Sequence, residues 1–344
     1  MMSGSPELPA LIREAGLGPE SCPNIVEVWR DSGRQLEQAR ELCKPFASVA
    51  TAAFACGSLG RREFTQGSDV DLAFLHGPEV SPDDAAAQLA SMQRELHGAG
   101  FEVSTKGLFG TPTARDAILA NIGGDQDSTR HLTFRALIIT EGEWITSPAV
   151  AKDFSDIIFN AYVTGELSSG RYATSLTNDL HRYYRTLCVD YRWKVEGDKK
   201  HAGWAIRNVK LRHSRKLWHL GTICAECYAF LASQAPGAPK HRALLGKALR
   251  QSSFAKIMDV LRLNGKPQAA AGLFTTYDVY LAKMRDPSVR LYLDGLPPEK
   301  RDTDEVFGAL RENARELDRA SQDVLWALLG HAEMAKHLLR FGLL

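Results

Sequence analysis

The chain lacks any run approaching the roughly 18 apolar residues that a membrane-spanning helix needs. Its opening residues, Met1 to Glu7, lack a basic stretch followed by an apolar core, which argues against a secretory signal. Cysteine is sparse: six in 344 residues, at Cys22, Cys43, Cys56, Cys188, Cys224 and Cys227, with no spacing that reads as a disulfide framework. The expectation is a cytoplasmic protein with no membrane partner. Cys224-x-x-Cys227 has no second pair and lies in an apolar helical stretch, so it reads as two small core residues rather than a zinc or redox site. Histidine pairs at ligand spacing are also missing. His213 and His219 stand six apart, as do His331 and His337, which is wrong for one helical face. Charge of either sign is not in excess: the net charge is +1, so the chain as a whole is no polyanion binder by bulk field. Fixed-period repeats and low-complexity blocks are absent.

What is present is an ordinary globular balance, 44% hydrophobic and 24% charged, in a length that suits two domains. After a loose entry, Ile25 to Phe46 carries helical spacing. Ala50–Cys56 and Val70–Leu75 read as strands, Asp83–His97 as a helix opened by Pro82, and Phe101–Leu108 as a third strand. Thr113–Ile122 and Ser128–Thr140 read as helices. Beyond Gly142 strand signals fade. Long helical patterns follow, with Leu176, Leu180, Tyr184, Leu187 and Tyr191 on one face.

The most informative stretch is Gly57-Ser58, ten intervening residues, then Asp69-Val70-Asp71. An apolar run enters a Gly-Ser turn, a polar loop follows, and two carboxylates open a second apolar run. Strand residues i and i+2 share a face, so Asp69 and Asp71 stand side by side. Two like charges at the start of a buried strand need a compensating cation, and carboxylate oxygens are hard ligands for Mg²⁺. Glycine lets backbone approach a phosphate closely, and serine can donate to it. Asp-x-Asp in a turn, bonding nearby backbone, is the plainer alternative.

Gly-Ser-Leu-Gly-Arg-Arg-Glu (57–63) with Ser-Asp-Val-Asp-Leu (68–72) resembles the signature of the polymerase-β-type nucleotidyltransferases. It is closest to bacterial PII-uridylyltransferase-like nucleotidyltransferases. A weaker match, His131 to Gly142, resembles the segment that closes their catalytic domain. The resemblance spans roughly residues 25–145. It implies that Asp69 and Asp71 hold two Mg²⁺ ions, with Mn²⁺ as a substitute, and that Gly57 and Ser58 fix the β- and γ-phosphates of a nucleoside triphosphate such as ATP. Arg61 matches the Gly-Arg-x-Glu of that family and is expected to contact the triphosphate, with Glu63 holding Arg61 or a loop amide.

Such sites use a third carboxylate on a neighbouring strand. Glu102 is the only acid in the third strand, either as that ligand or as an exposed edge residue. Asp116 and Asp125 lie outside the strand. The Trp-Asp context of the uridylyltransferases is absent.

Basic charge gathers later. Residues 171–219 hold twelve Lys or Arg against four acids. Along one helical segment, Arg207 and Lys210 share one side, and Arg212 and Arg215 another. Lys210, Arg215 and Lys216 are the expected phosphate contacts. Tyr183, Tyr184, Tyr191 and Trp193 either stack a base or belong to the core.

The expectation is therefore an α/β (α+β) nucleotidyltransferase domain with a small mixed sheet, followed by an all-helical domain. The boundaries are an extension over 1–24, a catalytic domain over 25–145 and a helical substrate-binding domain over 146–344. The activity implied is attack of an acceptor hydroxyl on the α-phosphorus of a nucleoside triphosphate, with release of pyrophosphate. The acceptor is a protein or small molecule, a second nucleotide in a signalling product, or tRNA or other RNA. A non-catalytic nucleotide-binding partner protein is the alternative from another class.

Overall fold

The computed structural model describes residues 8–105, 107–163, 173–196 and 203–340. In chain order the elements are α1 (Leu8–Glu14), α2 (Pro23–Cys43), β1 (Thr51–Cys56), a single turn α3 (Gly57–Gly60), β2 (Asp69–His76), α4 (Pro82–Gly98), β3 (Glu102–Val103), β4 (Thr113–Ala114), α5 (Thr129–Thr140), β5 (Glu143–Trp144) and α6 (Pro148–Tyr162). Among the described residues only helices follow: α7 (Thr174–Glu196), α8 (Trp204–Lys210), α9 (Lys216–Ala232), α10 (His241–Leu249), α11 (Ser253–Leu263), α12 (Ala271–Arg285), α13 (Pro287–Asp294), α14 (Glu305–Leu329) and α15 (Ala332–Leu338). Among the described residues, no helix is long and apolar enough to cross a membrane. The chain forms two compact units. One runs from Val28 to Val163. The other takes residues 8–27 and those from Ala173 onward.

The first unit is built on a mixed sheet in the order β3-β2-β1-β5, with β4 also pairing β2. β1 and β2 are antiparallel, from Thr51 opposite His76 to Cys56 opposite Asp71. β5 runs antiparallel to β1, while β3 and β4 run parallel to β2 at its start and its end. All six residues of β1 are buried, as suits a central strand with apolar and small side chains on both faces. On one face Ala53, Ala55, Val70, Leu72 and Phe74 pack with Leu36 and Ala39 of α2 and with Leu89, Met92 and Leu96 of α4. The alternate residues of β2, Asp69 and Asp71 among them, point to the opposite face. α4 starts where the sequence marks it: Ser81 Oγ accepts from the Asp84 amide at 3.1 Å, and Pro82 follows.

Four expectations need correction here. Thr113–Ile122 is not a helix: Thr113 and Ala114 join β2 as β4, and turns follow. The third strand is shorter than Phe101–Leu108, spanning Glu102–Val103 only. The entry segment is not loose, because Leu8, Leu11 and Ile12 of α1 are buried. The unit boundary also falls beyond 145, since α6 packs on β1 and belongs with the sheet.

The described residues of the second unit form helices and the loops between them. Trp204 and Trp218 are fully buried in it. Asp278 of α12 accepts from Asn24 Nδ2 at 2.8 Å and from the Ile25 amide at 2.9 Å, which ties the start of α2 into this unit. Cys224 and Cys227 are fully buried and burial raises both thiols, as core residues should behave. The unit also contains a buried acid, Glu226. Burial pushes its carboxyl up to about 7, partly offset by the hydrogen bond it accepts from Thr177 Oγ1. The unfolded chain ionises such a group near 4.5, so this contribution to stability is fully present below 4.5 and is lost as pH rises through about 7. Glu226→Gln should therefore raise stability at pH 8 by up to about 3 kcal/mol and change it little at pH 4.5. Chemical denaturation at the two pH values measures the difference. Equal effects at both would show that the acid is not held protonated by burial.

Candidate active site

The end of β1 and the start of β2 meet at the Cys56–Asp71 rung, and the Gly-Ser turn and the Asp-x-Asp that the sequence marked lie at it. Gly57 leaves the strand with φ +64, a conformation that L side chains rarely adopt. A Cβ built there would lie 2.1 Å from Asp71 Oδ2. Glycine is thus required twice, by the backbone turn and by the carboxylate pressed against it. Three residues on, a Cβ at Gly60 would meet the Glu141 carbonyl oxygen at 2.4 Å and that of Ala55 at 2.6 Å.

What holds the turn is a buried carboxylate that the sequence reading gave no role. Glu141, just past the end of α5, accepts from the Gly57 amide at 2.8 Å and from Arg61 Nη1 at 2.9 and 3.0 Å. Its side chain is 2% exposed and that of Arg61 7%. Arg61 Nε donates to Glu63 Oε2 at 3.0 Å. A guanidinium between two carboxylates is well compensated in a site this dry. The pairing of Arg61 with Glu63 follows the sequence reading. The phosphate contact expected of Arg61, however, has to compete with two carboxylates already in place. The Gly57 amide is likewise engaged by Glu141, so this residue contributes space rather than a donor. The Ser58 hydroxyl is half-buried and makes no hydrogen bond among the described residues. Alongside, Glu143 of β5 pairs with Arg40 at 3.0 Å, and Arg40 stacks on Trp144 at 3.8 Å.

Asp69 and Asp71 stand on one face of β2, the first exposed and the second half-buried. They are joined by a residue that the motif does not contain. Ser104 Oγ donates to Asp69 Oδ2 at 2.6 Å and lies 3.4 Å from Asp71 Oδ1. Glu102 is opposite Asp69 in the parallel register, hence level with the outer carboxylate and exposed to solvent. Among the described residues no three His, Cys, Asp or Glu side chains gather closely enough to hold a metal ion. Glu102 is thus level with Asp69 rather than Asp71, and it forms no three-carboxylate cluster with the pair. Two adjacent carboxylates that converge on one hydroxyl, open to solvent, nevertheless fit a hard divalent cation.

The basic helix lies in the second unit, and each residue is described within that unit. Lys210, Arg215 and Lys216 are all half-buried, and Lys216 pairs with Asp318 of α14. Leu211–Arg215 forms a π-helical turn between α8 and α9, so the simple 100° spacing of the sequence reading breaks there. Tyr183 is buried and packs edge-on against Trp218, as a core residue does, while the half-buried Tyr184 stacks on His219 at 4.1 Å. Tyr191 Oη accepts from Asn208 Nδ2 at 3.0 Å. Arg171, Lys199, Lys200 and the side chains of Trp193 and Lys194 lie outside the described residues. Across two helices the structure pairs His181 Nδ1 with His219 Nε2 at 2.8 Å, a contact no spacing on one helix could show. Burial lowers His219 to about 3, so this pair is neutral at physiological pH.

No protein-family model and no curated protein matches this chain.

Proposed function

We propose that the sheet-containing unit is a metal-dependent nucleotidyltransferase that moves a nucleoside monophosphate from a nucleoside triphosphate to an acceptor hydroxyl. The observation that carries this reading is the packing of Asp71 against the left-handed Gly57, with Asp69 beside it on the same strand face. A cation held by Asp69 and Asp71 would neutralise charge on the triphosphate and on the departing pyrophosphate. The chain's own residues supply position. Gly57 lets the Asp71 carboxylate lie against the turn, Ser58 offers a hydroxyl donor, and the Glu141–Arg61–Glu63 group holds the turn. Asp69 Oδ2 already accepts a hydrogen bond from the Ser104 hydroxyl at 2.6 Å, which is the geometry that orienting an acceptor hydroxyl requires.

In the reaction the acceptor hydroxyl loses its proton to solvent, its oxygen forms a bond to the α-phosphorus, the bond from that phosphorus to the bridging oxygen breaks, and pyrophosphate leaves. Incubation of the protein with each nucleoside triphosphate, Mg²⁺ and a panel of protein, nucleotide and RNA acceptors should release pyrophosphate with at least one pairing. Tight nucleotide binding with no release under any pairing would favour the second reading, a nucleotide-binding partner protein. The observation on that side is the position of Glu102, outside the carboxylate pair. An RNA acceptor would reveal itself by a steep fall of affinity with salt.

A further inference from the structure

The parallel pairing of β2 and β3 sets Asp69 opposite Glu102 and Val70 opposite Val103. The Ser104 amide donates to the Val70 carbonyl at 3.2 Å, so the ladder continues one residue past β3. Ser104 is consequently the residue level with Asp71, on the same face as both carboxylates. Its hydroxyl, 2.6 Å from one and 3.4 Å from the other, fills the space where a third ligand to a shared cation would stand. An ionised carboxylate at that position would bring a third negative charge within a few ångströms of two others. The hydroxyl brings none, and it hydrogen-bonds to Asp69 instead.

We propose that Ser104 occupies the third ligand position of this site, so that the protein binds its divalent cation with two carboxylates and acquires it together with the triphosphate. The inference rests on the nucleotidyltransferase reading for the identity of the second ligand. It follows from charge and coordination. Mg²⁺ dehydrates reluctantly and is commonly held by one or two carboxylates plus substrate phosphates, and cation affinity is set by the number of charged ligands. With two carboxylates the cation alone binds weakly, and phosphate oxygens complete its shell. Cation and nucleotide then raise each other's affinity by the same factor. Ser104 is a positioning residue, acting on the two carboxylates rather than on the reacting atoms.

The test uses the full chain and Mn²⁺ followed by electron paramagnetic resonance, with and without a triphosphate analogue whose α–β bridge is methylene. The wild type should bind Mn²⁺ weakly alone and at least about tenfold more tightly with the analogue. Ser104→Asp should bind Mn²⁺ alone at least about tenfold more tightly than the wild type, and should gain less from the analogue. Ser104→Ala, which removes the hydroxyl without adding charge, should show no such gain. A folded Ser104→Asp that binds Mn²⁺ no better than the wild type would overturn the assignment. So would a wild type that binds Mn²⁺ equally well with and without the analogue, a result that needs no variant to fold. Tighter Mn²⁺ binding by Ser104→Asp, with no nucleotidyl transfer by any form of the protein, would uphold the third-position assignment and defeat the enzyme reading.

Discussion

Asp71→Asn is expected to lower nucleotidyl transfer by roughly two to three orders of magnitude, the scale of losing one preorganised electrostatic contact with developing charge. The change keeps the size and shape of the side chain and removes its negative charge. Asp71 is half-buried at the open end of β2, opposite Cys56 and against Gly57, so an amide there meets no closed apolar wall. The thermal midpoint should stay close to that of the wild type. Turnover and a thermal melt, measured on the same preparation, separate loss of charge from loss of fold. A folded variant that transfers at the wild-type rate would remove Asp71 from the chemistry.

Gly57→Ala should be nearly as damaging to activity and should cost stability as well. The φ of +64 alone costs an L residue roughly 1–2 kcal/mol. The new methyl would also meet Asp71 Oδ2 at 2.1 Å, and something must move. The backbone cannot do so readily, since the Gly57 amide is held by Glu141 and the neighbouring Cys56 and Leu59 are fully buried. The carboxylate of Asp71 is the flexible partner and would swing out of line with Asp69. Two comparisons isolate this effect. Gly123→Ala carries a similar φ of +75 with no atom within 4 Å of the new methyl, so it should lose stability but not activity. In the Gly57→Ala/Asp71→Asn double variant the activity losses should not add, because both act through one carboxylate. Additive losses would mean that Gly57 matters for a reason other than Asp71.

The parts of this site that lie close together in the sequence were legible there. An apolar run, a Gly-Ser turn and a second run headed by Asp-x-Asp specify β1, the turn, β2 and the shared face of the two carboxylates by local rules alone. α4 was equally readable from Ser81, Pro82 and its apolar spacing. What was not legible depends on pairing between distant segments. Thr113 and Ala114 sit among good helix formers, yet the free edge of β2 recruits them as a strand. β5 is two residues long, too short to leave a pattern of alternation. Glu141 stands 84 residues from the amide it accepts from. It lay inside the segment that resembles the domain-closing motif, but nothing local shows that its side chain turns inward. That Ser104, not Glu102, lies level with Asp71 is a matter of register, and one rung of a two-residue parallel strand is invisible in composition.

The central claim is that the Asp69–Asp71 end of β2 is a site of nucleotidyl transfer. The most direct test is to incubate the protein with each α-labelled nucleoside triphosphate and Mg²⁺ or Mn²⁺, with and without cell extract, beside the Asp69→Asn/Asp71→Asn variant. Label entering a protein, RNA or small nucleotide product with the wild type and not with the variant is the predicted result, and the labelled product identifies the acceptor. Label transfer that survives in the folded double variant, or no transfer by the wild type with any nucleotide, would contradict the account.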